Sequence, residues 1–107
     1  MVLPSPQLFN PLPQEQEKLW MRYGGGDKKL FVNLVGLSMS AVRLDYCKID
    51  LKFRPELLQA GGFVHGGLLA TLMDTACVPA VGSGFTERRA YSTIDAHIQY
   101  QSSTKDD

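Results

Sequence analysis

One stretch constrains this chain most: Gly62-Phe63-Val64-His65-Gly66-Gly67, opening onto Leu68-Leu69-Ala70-Thr71-Leu72-Met73-Asp74-Thr75-Ala76. Small, flexible residues followed by an apolar run of this length predict a helix from about Gly66 to Val81. Leu68, Leu69, Leu72, Met73, Ala76, Val78 and Ala80 leave it little polar surface, so burial on most sides is expected. Pro79 is expected to kink or end the helix, and Gly82-Ser83-Gly84 completes the stop. Asp74 is the only charged residue between His65 and Glu87. A carboxylate in an apolar helix is costly unless it is paired or used. That conflict makes Asp74 the first candidate for chemistry.

Before this helix the pattern changes twice. Residues 1–13 hold four of the six prolines (Pro4, Pro6, Pro11 and Pro13) and read as an extended arm. Gln14 to Tyr23 reads as a helix, with Glu15 and Glu17 early and Arg22 late. Leu19, Trp20 and Tyr23 form its expected packing face, and Gly24-Gly25-Gly26 stops it as a flexible joint. A phosphate-cradling nest is the other use of three glycines, but no following helix or Lys-Ser/Thr pair accompanies these. Leu30 to Leu37 reads as a strand. Val42, Leu44 and Tyr46 alternate, then Cys47, Ile49, Leu51 and Phe53 alternate in the opposite phase. That slip predicts a bulge near Tyr46. After the long helix, Tyr91 to Tyr100 reads as a strand, with Ile94, Ala96, Ile98 and Tyr100 on one face. The fold class is α+β, a helix laid against a sheet.

Size and charge narrow the function. The 107 residues suit one domain with one modest core. Eleven basic and eleven acidic residues give no net charge, which favours neither nucleic acid nor an anionic membrane as partner. The basic residues are scattered apart from Lys28-Lys29 and Arg88-Arg89. No apolar run reaches the roughly 18 residues of a membrane span, and residues 1–6 lack the features of a signal peptide. A cytoplasmic location is the default expectation. Cys47 and Cys77 have no CxxC spacing and no metal-ligand cluster; both are expected to be reduced, buried and structural.

The chemistry-bearing residues fall at the two ends of one helix segment. Glycines at a helix start leave backbone N–H groups unpaired, and with the helix dipole these can hold a developing oxyanion. Gly66 and Gly67 fit that role; a tight loop-to-helix turn is the plainer use of the same residues. Asp74 can act as general base or nucleophile, or can cap a backbone group or pair with an arginine. Nine residues separate His65 from Asp74, roughly 13 Å along a helix axis. Donors and carboxylate of one chain therefore do not easily serve one small reacting group. Two such helices packed antiparallel about a two-fold bring each Asp74 to the other chain's glycines. An active site built from these residues is expected at a homodimer interface.

Gly62-x-x-His65-Gly66-Gly67 followed by Asp74-Thr75-Ala76 resembles the hotdog-fold acyl-CoA thioesterases of the phenylacetate-degradation (PaaI-like) type. Thr93-Ile94-Asp95 with Ile98 and Tyr100 adds to the resemblance, which covers about Leu30 to Tyr100. It implies a long helix wrapped by an antiparallel sheet, assembled as a homodimer or homotetramer, with no metal and no cofactor. With the proline-rich arm and N-terminal helix taken as residues 1–26, the resemblance implies residues 27–107 as a hotdog domain whose last strands are missing. The implied reaction is hydrolysis of an acyl-CoA to free acid and CoA. In it, the Gly66 amide polarises the thioester carbonyl and Asp74 of the other protomer activates water or attacks directly. Thr93 helps to hold the water, and His65 orients the loop. Gln59 stands where the family usually has Asn. Gly67 is a further substrate-binding candidate, and Arg88 and Arg89 are candidates for CoA phosphates or a solvated turn. His97 is expected to be structural.

Three other readings compete. An α/β-hydrolase also uses a His-Gly-Gly loop, but needs a Gly-x-Ser-x-Gly elbow that this chain lacks. A hotdog dehydratase needs a His–acid pair that is not evident. A non-catalytic acyl-CoA-binding or inactive truncated hotdog protein has nearly the same sequence; Gln59 and the missing strands favour it, whereas Asp74, Gly66 and Thr93 together favour the enzyme.

Overall fold

The computed structural model describes residues 3–27 and 29–105. Met1 and Val2 of the arm, Lys28 of the Lys28-Lys29 pair, and Asp106 and Asp107 lie outside the described residues. The elements run α1 (Gln14–Met21), α2 (Phe31–Val35), β1 (Leu37–Arg43), β2 (Tyr46–Leu51) and α3 (Gly66–Gly82), with 3-10 turns at Pro6–Leu8 and Pro55–Leu57.

β1 and β2 form an antiparallel hairpin that lies across α3. Leu37 pairs with Leu51, Met39 with Ile49 and Val42 with Cys47. The shift from Met39 to Val42 spans an irregularity between Met39 and Ala41. It leaves Ser40 as the extra residue, so apolar side chains stay on the helix side before and after it. The phase slip read near Tyr46 is thus two events. One is this bulge in β1; the other is a tight turn at Leu44-Asp45, with Asp45 at φ 61°. Aspartate tolerates that left-handed conformation better than most residues.

The hairpin is tied to α3 by polar contacts as well as apolar ones. Ser83 is only 2% exposed, and its hydroxyl donates to the Ala80 carbonyl (2.9 Å) and accepts from the Asp45 amide (2.9 Å). The Cys47 thiol donates to the Ala76 carbonyl (2.9 Å). Thr75, Pro79 and Gly82 form the buried side of α3, at the i, i+4, i+7 spacing of one helical face. Pro79 sits within the helix and does not end it until Gly82.

The opposite side of α3 is open, which corrects the expectation of burial on most sides. Met73 is 45% and Val81 53% exposed, and Cys77, between them at the same i, i+4 spacing, is exposed rather than buried. Cys47 is half-buried; both cysteines are free thiols, as expected. The reason is geometric: a two-stranded sheet covers one face of a helix, and the described residues supply no second layer.

Two strand expectations fail. Within Leu30 to Leu37 the chain turns one short helix, α2, which closes on Gly36 at φ 94° before β1 begins. Glycine is the residue that takes this left-handed end without cost. Tyr91 to Tyr100 has strand-like alternation but forms no strand. A strand needs a neighbour's backbone, and here the segment runs beside a helix instead. It descends α3 antiparallel: the Tyr91 hydroxyl donates to the Val78 carbonyl, Thr93 reaches Asp74, and Tyr100 reaches Gly66. Ile94 is 99% exposed.

The N-terminal arm closes over the tip of the hairpin. Leu12 is buried, Phe9 stacks on Tyr46 with ring centroids 4.6 Å apart, and Leu44 N–H donates to the Asn10 carbonyl (2.9 Å). The Tyr46 hydroxyl donates to the Pro4 carbonyl (3.3 Å). α1 follows and packs on β1. The glycine joint after α1 is held by one side chain. Asn33 Nδ2 donates to the Gly24 carbonyl (3.0 Å) and the Asp27 carbonyl (2.7 Å). Asn33→Ala is expected to cost about 1 kcal/mol, read as a Tm lowered by roughly 4–8 °C in a thermal melt.

Candidate active site

The loop before α3 folds back on itself so that His65 arrives in a fixed orientation. Gln59 N–H donates to the Phe63 carbonyl (2.7 Å) and His65 N–H to the Leu57 carbonyl (2.9 Å), around a bridge between Leu58 and Val64. His65 caps α3: its Nδ1 accepts from Gly67 N–H at 2.9 Å. An accepting Nδ1 places the ring proton of neutral histidine on Nε2.

This cap separates the two glycines. The Gly67 amide is occupied by His65, so it is not the free donor that the glycine pair offered in sequence. Gly66 N–H has no acceptor among the described residues, as befits the first turn of a helix. The Tyr100 ring lies against Gly66, where an added Cβ would sit 3.5 Å from Cζ, and the Tyr100 hydroxyl donates to the Gly66 carbonyl (2.9 Å).

Asp74 lies two turns further on, at the surface rather than buried. Its Oδ1 accepts from Thr93 Oγ1 at 2.5 Å. That is the short distance of a hydroxyl donating to a charged oxygen. The bond restrains the carboxylate's rotation, and Oδ2 has no hydrogen-bond partner among the described residues. Gly66 and Asp74 of one chain are eight residues apart, about 12 Å of helical rise.

The remaining candidates are less convergent. Gln59 is exposed and its Oε1 accepts from the Gly61 amide of its own loop. Arg89 is exposed and lies over the Phe85 ring at 4.7 Å. Arg88 is exposed but falls within electrostatic range of Tyr23. His97 is exposed rather than packed as a structural residue, with no side-chain hydrogen bond among the described residues. Among the described residues no three His, Cys, Asp or Glu side chains gather as metal ligands would.

Tyr100 is the site neighbour that sequence reasoning misses: alternation places it on a strand face, and only the descent of its segment along α3 brings it to Gly66.

A hairpin laid over one long central helix, with the glycine turn at the helix start and the carboxylate in its middle, is the hotdog arrangement. Among solved structures the chain superposes on the E. coli PaaI protein from the phenylacetic acid degradation operon, with a TM-score of 0.52 and 20% identity. The match covers 63% of this chain and 49% of that one, so the chain spans about half the length of its structural relative. The fold is PaaI-like hotdog. No protein-family model and no curated protein matches the chain, and no helix among the described residues is long and apolar enough to cross a membrane.

Proposed function

We propose that this chain is an acyl-CoA thioesterase whose site is shared between two protomers. The observation that carries the reading is the Thr93–Asp74 hydrogen bond, set in a PaaI-like hotdog fold. Thr93 holds Oδ1, and the free Oδ2 takes a proton from water as that water attacks the thioester carbonyl. The carbonyl oxygen gains the charge and accepts from Gly66 N–H of a second protomer. The tetrahedral intermediate collapses, the C–S bond breaks, and the CoA thiolate leaves and takes up a proton. His65 positions the turn by occupying the Gly67 amide, and Arg88 and Arg89 attract the CoA phosphates. Direct attack by Asp74 on the carbonyl is the other route open to the same residues.

Surface area supports assembly. A monomeric globular protein of 11.9 kDa exposes about 6,000 Å²; this chain exposes 8249 Å². The open face of α3 is the surface that antiparallel pairing of two central helices would cover. Cys77 lies on that face, whereas burial pushes the Cys47 thiol up. A thiol reagent is expected to modify Cys77 quickly at high dilution and slowly at high protein concentration, with Cys47 slow in both. A Cys77 rate that ignores concentration argues against α3 as the paired face.

The test of activity is free-thiol release from aryl-acetyl, short-, medium- and long-chain acyl-CoAs. Asp74-dependent turnover supports the hydrolase. One observation favours a non-catalytic acyl-CoA-binding protein instead: Gln59, at the position the family usually gives to Asn, turns its oxygen into its own loop. Binding without thiol release by the folded oligomer would establish that reading.

A further inference from the structure

The two glycines that open α3 are not equally required by the fold. At Gly67 an added Cβ would lie 2.9 Å from Nδ1 of the capping His65, too close for the cap to stay where it is. At Gly66 the nearest atoms all belong to Tyr100: Cζ at 3.5 Å, Cε1 at 3.6 Å and the hydroxyl at 3.7 Å. Those are ordinary van der Waals separations, and the Gly66 backbone is not left-handed. Alanine fits there and is the better helix former. Glycine instead leaves a space one carbon layer thick, with the Gly66 amide on one side and the Tyr100 ring on the other.

The ring is pinned beside that space. The Tyr100 hydroxyl donates to the Gly66 carbonyl (2.9 Å). Four residues on, the Thr104 carbonyl accepts from Val64 N–H (2.7 Å), on the far side of the turn. With its proton committed, Tyr100 has no hydrogen to offer a ligand and acts there as an apolar wall, and the residue is still 52% exposed. The Gly66 nitrogen is about 2.5 Å from the place of the absent Cβ, so the ring begins within about 6 Å of the donor. An acceptor oxygen takes up about 2.9 Å of that distance. The carbon next to a carbonyl is only about 2.4 Å from the carbonyl oxygen. A thioester held by Gly66 N–H therefore brings that carbon up to the ring.

We propose that Tyr100 is a specificity-determining residue of this site: it admits acyl groups with a plain CH2 next to the carbonyl and turns away those branched at that carbon. One carbon layer fits between donor and ring. A methyl branch aimed at the ring is a second layer, and it must lift the ring off Gly66 and break the hydroxyl's bond. Donor and wall belong to one protomer, so the selection does not depend on how the partner's Asp74 is set.

This inference rests on the acyl-CoA reading of the site. Its probes are butyryl-CoA and isobutyryl-CoA, which have the same atoms and differ only in the branch. Binding is measured by calorimetry on Asp74→Asn, which does not consume the probe, and thiol release on the natural chain. Butyryl-CoA is expected to be preferred about tenfold or more in Kd and in kcat/KM, the usual worth of one misplaced carbon. Tyr100→Ala removes the wall and is expected to bring the two probes within about twofold; Tyr100→Phe keeps the ring and the preference. A purely structural Tyr100 would weaken both probes alike, and an unchanged ratio in Tyr100→Ala overturns the proposal. So does a natural chain that releases thiol equally from both, which leaves the thioesterase reading standing. Should Tyr100→Ala not fold, Gly66→Ala decides. It keeps the amide and fills the space, and is expected to weaken butyryl-CoA about tenfold with its melt unchanged; undiminished binding overturns the wall. Selective binding without thiol release upholds the wall and counts only against the hydrolase. Binding of neither probe overturns both.

Discussion

Asp74→Asn is expected to lower thioester turnover by about 10²–10⁴-fold while the fold survives. Asparagine keeps the shape of the side chain and can still accept from Thr93, so the geometry at Oδ1 is preserved. What it loses is the basic oxygen that takes the proton from water. Asp74 is exposed, and surface substitutions away from caps and buried networks usually change stability by no more than about 0.5 kcal/mol. The two effects are therefore separable: thiol release collapses and the thermal melt stays put. A variant with near-normal turnover would remove Asp74 from the mechanism. A loss of activity matched by a loss of folding would say nothing for catalysis. For that reason the melt belongs in the same experiment.

Gly82→Val is the second large expectation, and it acts on stability. The Cβ of any replacement would meet the Trp20 ring and the Tyr91 hydroxyl well inside van der Waals distance. A tryptophan ring has no flexible end with which to give way, so it must swing off α3. Overpacking of this kind costs about 1–3 kcal/mol, against which the helix gains less than about 1 kcal/mol from losing a glycine. A Tm lowered by about 10 °C is expected, with red-shifted Trp20 fluorescence as the ring becomes hydrated. Unchanged fluorescence and melting would mean that α1 is not seated on Gly82.

How far the chain could be read from its residues differs from element to element. α3 was legible because its signals agree: glycines at the start, an apolar run, and Gly82-Ser83-Gly84 at the end. The hairpin was half legible. Its phase slip is visible, but the turn carries Leu44-Asp45 rather than an Asn-Gly or Asp-Gly pair, so nothing marked it as a turn. α2 has the apolar, β-branched composition of a strand (Phe31, Val32, Val35), and tertiary context overrode that preference. Tyr91 to Tyr100 shows the limit of periodicity. Alternation says which side chains share a face, but a strand also needs a backbone partner, and partners lie elsewhere in the chain. Burial of the helix failed for the same reason, since one hairpin cannot cover two faces. In the site, the Thr93–Asp74 contact joins residues nineteen apart; family resemblance marks both residues, Thr93 as a holder of water, but not the bond between them.

The N-terminal arm has a kinetic consequence. Its contacts with Tyr46 and Leu44 all fall at the closed end of the hairpin, and they join positions far apart in sequence. Contacts across such separations form late, after the local hairpin and α3. The same few contacts are released together without disturbing the β1–β2 ladder, which makes the arm a low-cost opening unit of its own. The Leu44 amide, bonded to the arm at Asn10, becomes a clock for that event. Its hydrogen exchange follows the lifting of the arm, while the ladder amides beside it wait for the hairpin itself to come apart.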